Sequence, residues 1–177
     1  MMDMEHSEVL DVLRPQWRAA DWAKSTGELL WAHHYTVWSV GRKLGGLAPS
    51  IDASETRLLE LACLTHDIGK RDPACQDRLR GGQAPGDHKL DLDQLTTYFR
   101  RDLEGAIAVS DAELAQITEI ARTHHSVSQA DLHAQQFDRA GLLGRLLITA
   151  DWIGSMQEPD FETLVRLAAF YAGRLDF

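Results

Sequence analysis

Cysteine is almost missing from this 177-residue chain, which has 2, at positions 63 and 75. Cys63 falls in an apolar helical stretch and Cys75 in a loop-like one, a pattern that builds neither a disulfide framework nor a thiolate metal knuckle; both are read as reduced and structural. Long hydrophobic runs are missing too. No stretch approaches the roughly 18 to 20 continuous apolar residues of a membrane span, and the opening MMDMEHSEVL is acidic where a secretory leader is basic and then apolar, so a cytoplasmic protein without a membrane partner is expected. Neither an alternating strand pattern nor an Asn-Gly hairpin signal occurs. The chain lacks a Gly-x-x-x-x-Gly-Lys-Ser/Thr phosphate loop and has no room for helicase lobes, which excludes ATP-driven unwinding. It also lacks a Gly-x-Ser-x-Gly elbow, and neither cysteine has a neighbouring base in sequence, so no side-chain nucleophile is evident. Positive charge is in short supply: 18 Lys and Arg stand against 27 Asp and Glu, a net charge of −9. That balance disfavours a protein that binds nucleic acid by phosphate neutralisation alone, unless the acidic groups hold cations.

What is present is helical periodicity nearly throughout. Apolar residues recur at helix spacing over 7–24 and over 28–47, the latter through Leu30, Val37, Val40, Leu44 and Leu47. Asp52 with Glu55, and Ser110 with Glu113, form capping-box patterns, the first opening an apolar helix that Gly69 is expected to end. DRAGLLGRLLITADWIGSM and DFETLVRLAAFYAGRL predict two more helices, and RLRGGQAPGDHK is the one long Gly/Pro loop. The expected fold is all-α, a single globular helical bundle over residues 1–177, of ordinary size for one domain.

The ionisable residues gather at helix ends. His33 and His34 lie near the start of the second helix, His66 and Asp67 at the end of the third, His88 in the loop, His124 and His125 at the end of the fifth. Asp151 sits inside an apolar run, between Ala150 and Trp152. A lone histidine on an apolar face is more often a hydrogen-bonded core residue than a ligand. A buried carboxylate is different, because its desolvation demands a cation or several hydrogen bonds. Helix C-termini favour cations over anions, and imidazole with carboxylate and no thiolate suits Mn, Fe, Co, Ni or Zn better than Mg or Ca. Together the residues indicate a metal site. Basic residues also collect near this stretch, at Lys70, Arg71, Arg78, Arg80 and Lys89, which is either a solvated face or a substrate path.

His33 with Val37 four on, then THDIGK, a loop histidine, THH and TADWIGSM resemble the HD-domain superfamily of metal-dependent phosphohydrolases. WAKS at 22–25, HDIGKRDPACQ at 66–76 and ADWIGS at 150–155 resemble, more narrowly, the HD nuclease of the type I CRISPR-associated helicase-nuclease. The resemblance spans roughly residues 20–157. It implies one or two divalent transition metal ions, the first held by His33, His66, Asp67 and Asp151, the second by His88, His124 and His125, with Asp67 bridging. His34 competes with His33; helix geometry favours His33, which shares a face with Val37, Val40 and Leu44. Asp67 and Lys70 are the candidate catalytic residues, Lys70 as a phosphate contact or simply as a lysine beside a carboxylate.

The function so implied is metal-dependent cleavage of single-stranded DNA in CRISPR interference, with a separate helicase, and through it the surveillance complex, as partner. Cys75 before Gln76, Lys89 after the loop histidine and Ser126 after the histidine pair depart from the family pattern beside the site, not at its ligands. An initial Met and a helix-like close favour a stand-alone subunit over a piece of a longer chain. Two other functions fit the same residues: an HD-type nucleotide or cyclic-nucleotide phosphohydrolase, and an inactive HD interaction module.

Overall fold

The computed structural model describes residues 4–48, 50–83, 90–103, 105–124 and 141–156. Among them, the chain is all-α. The first helix, α1 (His6–Ala19), opens where Glu8 accepts the Glu5 amide at 3.0 Å and closes at Ala20 in the left-handed region, φ 51°. α2 (Leu30–Gly46) and α3 (Ala53–Thr65) follow, then a 3-10 turn over Ile68–Arg71 and a short α4 (Pro73–Leu79). α5 (Leu92–Thr97) runs into a π-helical turn, Tyr98–Asp102, and α6 (Asp111–Thr123) and α7 (Leu142–Ser155) complete the described elements.

The two predicted capping boxes are present. The Asp52 side chain accepts the Glu55 amide at 2.8 Å and Ser110 Oγ accepts that of Glu113 at 3.3 Å, each satisfying a helix-end donor. Three expectations need correction. The first helix stops at Ala19 instead of 24, because 21–29 folds into a tight loop. There Ala23 donates to Glu28 O at 2.7 Å, Leu30 to Asp21 O at 2.7 Å, and Gly27 takes φ 87°. The Gln76 side chain clamps this loop, accepting Trp22 N–H at 2.8 Å and donating to Trp22 O at 2.9 Å and Lys70 O at 2.8 Å. Gly69 does not end α3; the helix stops at Thr65, and Gly69 lies within the 3-10 turn. Cys75 is in α4 and buried, since Asp72 caps that helix through Ala74 N and Cys75 N and Pro73 starts it. The helix expected over DFETLVRLAAFYAGRL and residues 84–89 of the Gly/Pro loop lie outside the described residues.

α3 is the central element. It is buried from Leu58 to Thr65 without interruption and packs against α1, α2, α6 and α7. Glycine permits two close approaches. A Cβ on Gly41 of α2 would fall 2.5 Å from Cys63 Sγ of α3, and one on Gly144 of α7 would fall 2.5 Å from Thr123 Oγ1 of α6. These contacts draw together the ends of α3 and α6, the second turn of α2 and the last turns of α7. No described helix is long and apolar enough to cross a membrane.

Candidate metal centre

His33 comes from α2, His66 and Asp67 from the end of α3, His124 from the end of α6 and Asp151 from α7; the four helices bring them to one point. His33 Nε2 lies 3.2 Å from Asp151 Oδ1 and 3.7 Å from Asp67 Oδ2. His66 Nε2 lies 3.7 Å from Asp151 Oδ1 and 3.6 Å from Asp67 Oδ2. His124 Nε2 meets the other oxygen of Asp67, Oδ1, at 3.3 Å. Each imidazole has an oxygen behind it: Glu28 Oε1 is 3.5 Å from His33 Nδ1, Cys63 O is 3.1 Å from His66 Nδ1, and Ala121 O meets His124 Nδ1. Ser155 Oγ donates to Asp151 Oδ1 at 3.3 Å. For His66 and His124 the carbonyl on Nδ1 leaves Nε2 facing inward, the arrangement that orients histidines toward a metal, whereas Glu28 is a charged neighbour of His33 Nδ1 without hydrogen-bond geometry.

His66 tests the fit most directly. A carbonyl only accepts, so Nδ1 carries the proton that goes to Cys63 O, and Nε2 keeps a lone pair. That buried Nε2 has no hydrogen-bond partner among the described residues and lies 3.6 Å from Asp67 and 3.7 Å from Asp151. A lone pair and two anions converging without a proton between them fit a cation. Ligand atoms each about 2.1 Å from a common ion stand roughly 3 to 3.6 Å apart; the observed 3.2 to 3.7 Å overlaps that spacing and extends just past it. Two sets of ligand atoms lie within 4.8 Å of one another: His33, His66 and Asp151, and His66, Asp67 and His124. The donors are nitrogen and oxygen, which suits divalent transition ions.

The electrostatics describe the metal-free state. Burial lowers His66, and His34 well below the usual histidine value. Burial lowers His33 as well, but the Asp151 and Glu28 carboxylates outweigh it and hold the group at about 9. His124 is raised, burial being outweighed by Asp67. Burial pushes both aspartates up, yet Asp67 is held well below the carboxylate range by His66, His124 and Lys70, and Asp151 by His33 and His66. Protons on His33 and His124 and the Lys70 ammonium, 2.5 Å from Asp67 Oδ2, therefore balance the two buried carboxylates.

Of the predicted residues, His33, His66, Asp67, Lys70, His124 and Asp151 are brought together; His88 and His125 lie outside the described residues. His34 is no ligand, since both ring nitrogens are engaged, with Gln16 Oε1 at 2.6 Å and the Asp67 amide at 3.3 Å. The basic residues beside the site are largely paired. Arg71 bridges Asp21 at 3.1 Å and Asp102 at 2.7 Å, and Arg80 lies over the Trp22 ring; Lys89 lies outside the described residues. Sequence reasoning missed Glu28, which stands five residues before His33 at no helical spacing, and Gln16, for which no local signal exists. The chain matches no family model, no curated protein and no solved structure.

Proposed function

We propose that this protein is a metal-dependent phosphodiesterase of the HD type that cleaves single-stranded DNA, working in CRISPR interference beside a separate helicase. The observation that carries the catalytic part is the buried His66 Nε2, which has no hydrogen-bond partner among the described residues and faces Asp67 and Asp151 at 3.6 and 3.7 Å. His33, His66, Asp67 and Asp151 would hold one divalent transition ion. His124, on the second oxygen of Asp67, begins a second set that His88 and His125 would complete. A bound ion supplies Lewis-acid activation of water and of a phosphoryl oxygen. Asp67 turns one oxygen to each set, so it is the residue through which the two communicate. Lys70 sits on that carboxylate, its side chain only 14% exposed, placed to exchange the carboxylate for a phosphate oxygen once an ion occupies the centre. The polymer substrate rests on the likeness of WAKS, HDIGKRDPACQ and ADWIGS to the CRISPR-associated nuclease.

The net charge of −9 suits a small soluble nucleotide as well as a strand threaded in by a helicase, so one assay separates the two. Circular single-stranded DNA and a panel of nucleotides and cyclic nucleotides are offered to the wild type and to Asp67→Ala, with Mn, Co, Ni or Fe added and metal content measured. The expected result is nicking of circles by the wild type, with loss of cleavage and of at least one ion in Asp67→Ala. Nucleotide turnover with intact circles would replace the nuclease reading by a nucleotide phosphohydrolase. Full activity in Asp67→Ala would overturn both.

A further inference from the structure

A helix ends with carbonyls that have no amide partner, and at the end of α3 side chains claim them. His66 Nδ1 donates to Cys63 O at 3.1 Å and Gln16 Nε2 to Leu64 O at 3.1 Å. With Cys63 O given to the His66 imidazole, the next amide, that of Asp67, turns away from the helix. The backbone at Asp67 takes φ −105° and ψ 16°, and its N–H points to His34 Nε2 at 3.3 Å. His34 is fully buried, and its tautomer follows from its partners. Gln16 Oε1 only accepts, so Nδ1 carries the proton at 2.6 Å and Nε2 keeps the lone pair that receives the Asp67 amide. Gln16 is fixed in turn, donating to Leu64 O and to Tyr98 Oη at 3.1 Å, and the Tyr98 hydroxyl donates to Val12 O. The His34 ring also stands edge-on to that of His66, with centroids 4.9 Å apart.

We propose that His34 is a positioning residue of the metal centre. By accepting the Asp67 amide from a ring locked by Gln16, it fixes the rotation of Asp67 so that Oδ2 faces His33 and His66 while Oδ1 faces His124. The inference rests on the reading of the centre as a metal site and is independent of the substrate. A side chain that merely filled volume at position 34 would be replaceable by leucine without effect on the ion. An amide acceptor would not be. Glutamine separates the two, since its side-chain oxygen accepts the same amide while the imidazole and its link to Gln16 are lost.

The test is titration of purified wild type, His34→Leu and His34→Gln with cobalt(II), read by competition with a chromogenic chelator and by the cobalt absorption spectrum. His34→Leu is expected to bind about tenfold to a hundredfold more weakly and with an altered spectrum. His34→Gln is expected to return affinity and spectrum close to those of the wild type. A folded His34→Leu with wild-type affinity overturns the inference, and so does a His34→Gln that loses about tenfold or more. If the leucine variant does not fold, the glutamine variant decides by the same criterion. A wild type that takes up no cobalt overturns the metal reading and this inference together, whereas wild-type uptake with an unaffected leucine variant removes this inference alone.

Discussion

At the scale of single residues, the centre is governed by histidines whose environments push them in opposite directions. His33 is held up to about 9 against the pull of burial, because Asp151 and Glu28 favour its proton, while burial keeps His34 and His66 low. The raised group contributes stability that is fully present below the unfolded value of 6.5 and lost as pH climbs through about 9. For the lowered pair the sign reverses: below 6.5 the unfolded chain takes protons that the folded chain refuses, so stability falls as pH falls. Metal-free protein is therefore expected to be most stable near pH 6.5 and to weaken on both sides, with His33 accounting for about 3 kcal/mol of the alkaline loss. With saturating metal the alkaline slope should flatten, because an ion takes the place of the His33 proton and binds more tightly as pH rises. Urea unfolding with chelator and with cobalt, across about pH 5 to 10, checks this; a flat profile in chelator would contradict the assignment of His33. Much at this scale was legible in the sequence, since His66, Asp67, His124 and Asp151 stand out as polar residues in apolar helices. The choice of His33 over His34 was less so. Both are buried, and what separates them is Gln16, a residue on another helix that only the packed chain brings near.

At the scale of elements, the centre depends on how closely helices approach. α2 and α3 touch at Gly41, where a methyl group would fall 2.5 Å from Cys63 Sγ and 3.5 Å from Ala150 Cβ, all inside the core. Gly46, on the same helix, is exposed and has nothing within 4 Å of such a methyl. Replacing glycine by alanine in a helix gains up to about 1 kcal/mol where space allows, whereas overpacking a core costs about 1 to 3 kcal/mol. Gly46→Ala is expected to leave the unfolding midpoint unchanged or higher, and Gly41→Ala to lower it and to weaken cobalt binding by moving His33 off His66. Adding Cys63→Ala to Gly41→Ala should recover part of both losses, the signature of a direct contact. Equal behaviour of the two alanine variants in urea unfolding would refute the close-approach argument. Sequence showed the helix starts well, because the capping boxes at Asp52 and Ser110 are local. It showed the helix ends poorly. The stop at Ala19 is enforced by a loop that Gln76 clamps from 54 residues away, and α3 stops before Gly69 because side chains, not backbone amides, take its last carbonyls. α4 carried a local signal, Asp72 followed by Pro73, that a reading attentive only to Cys75 passes over.

At the scale of the whole molecule, the candidate ligands are spread over positions 33, 66, 67, 124 and 151, on α2, the end of α3, the end of α6 and α7. One ion at that point would tie together helices that are already joined there by packing and by the His33–Asp151 and His124–Asp67 contacts. In the metal-free protein the two buried carboxylates are balanced by protons and by Lys70, charge that an ion would replace. Binding to the folded state alone stabilises by RT ln(1 + [L]/Kd), about 2.7 kcal/mol at a hundredfold excess over Kd. For a chain of this length that corresponds to a rise of roughly 5 to 10 °C in Tm. Dialysis against a chelator is thus expected to lower Tm by that amount, and added cobalt or manganese to restore it, more fully than magnesium does because imidazole donors dominate the set. In Asp67→Ala and Asp151→Ala the same additions should move Tm little. The metal-free Asp67→Ala protein should also show that the carboxylate compensates its neighbours even without an ion: His124 and Lys70 lose the carboxylate they contact, and Tm should fall further for the variant than for chelated wild type. Scanning calorimetry on the chelated and reloaded wild type and on both variants decides the matter; an identical Tm with and without metal in the wild type would mean that the four helices meet at this point through packing and the His–Asp contacts, without an ion.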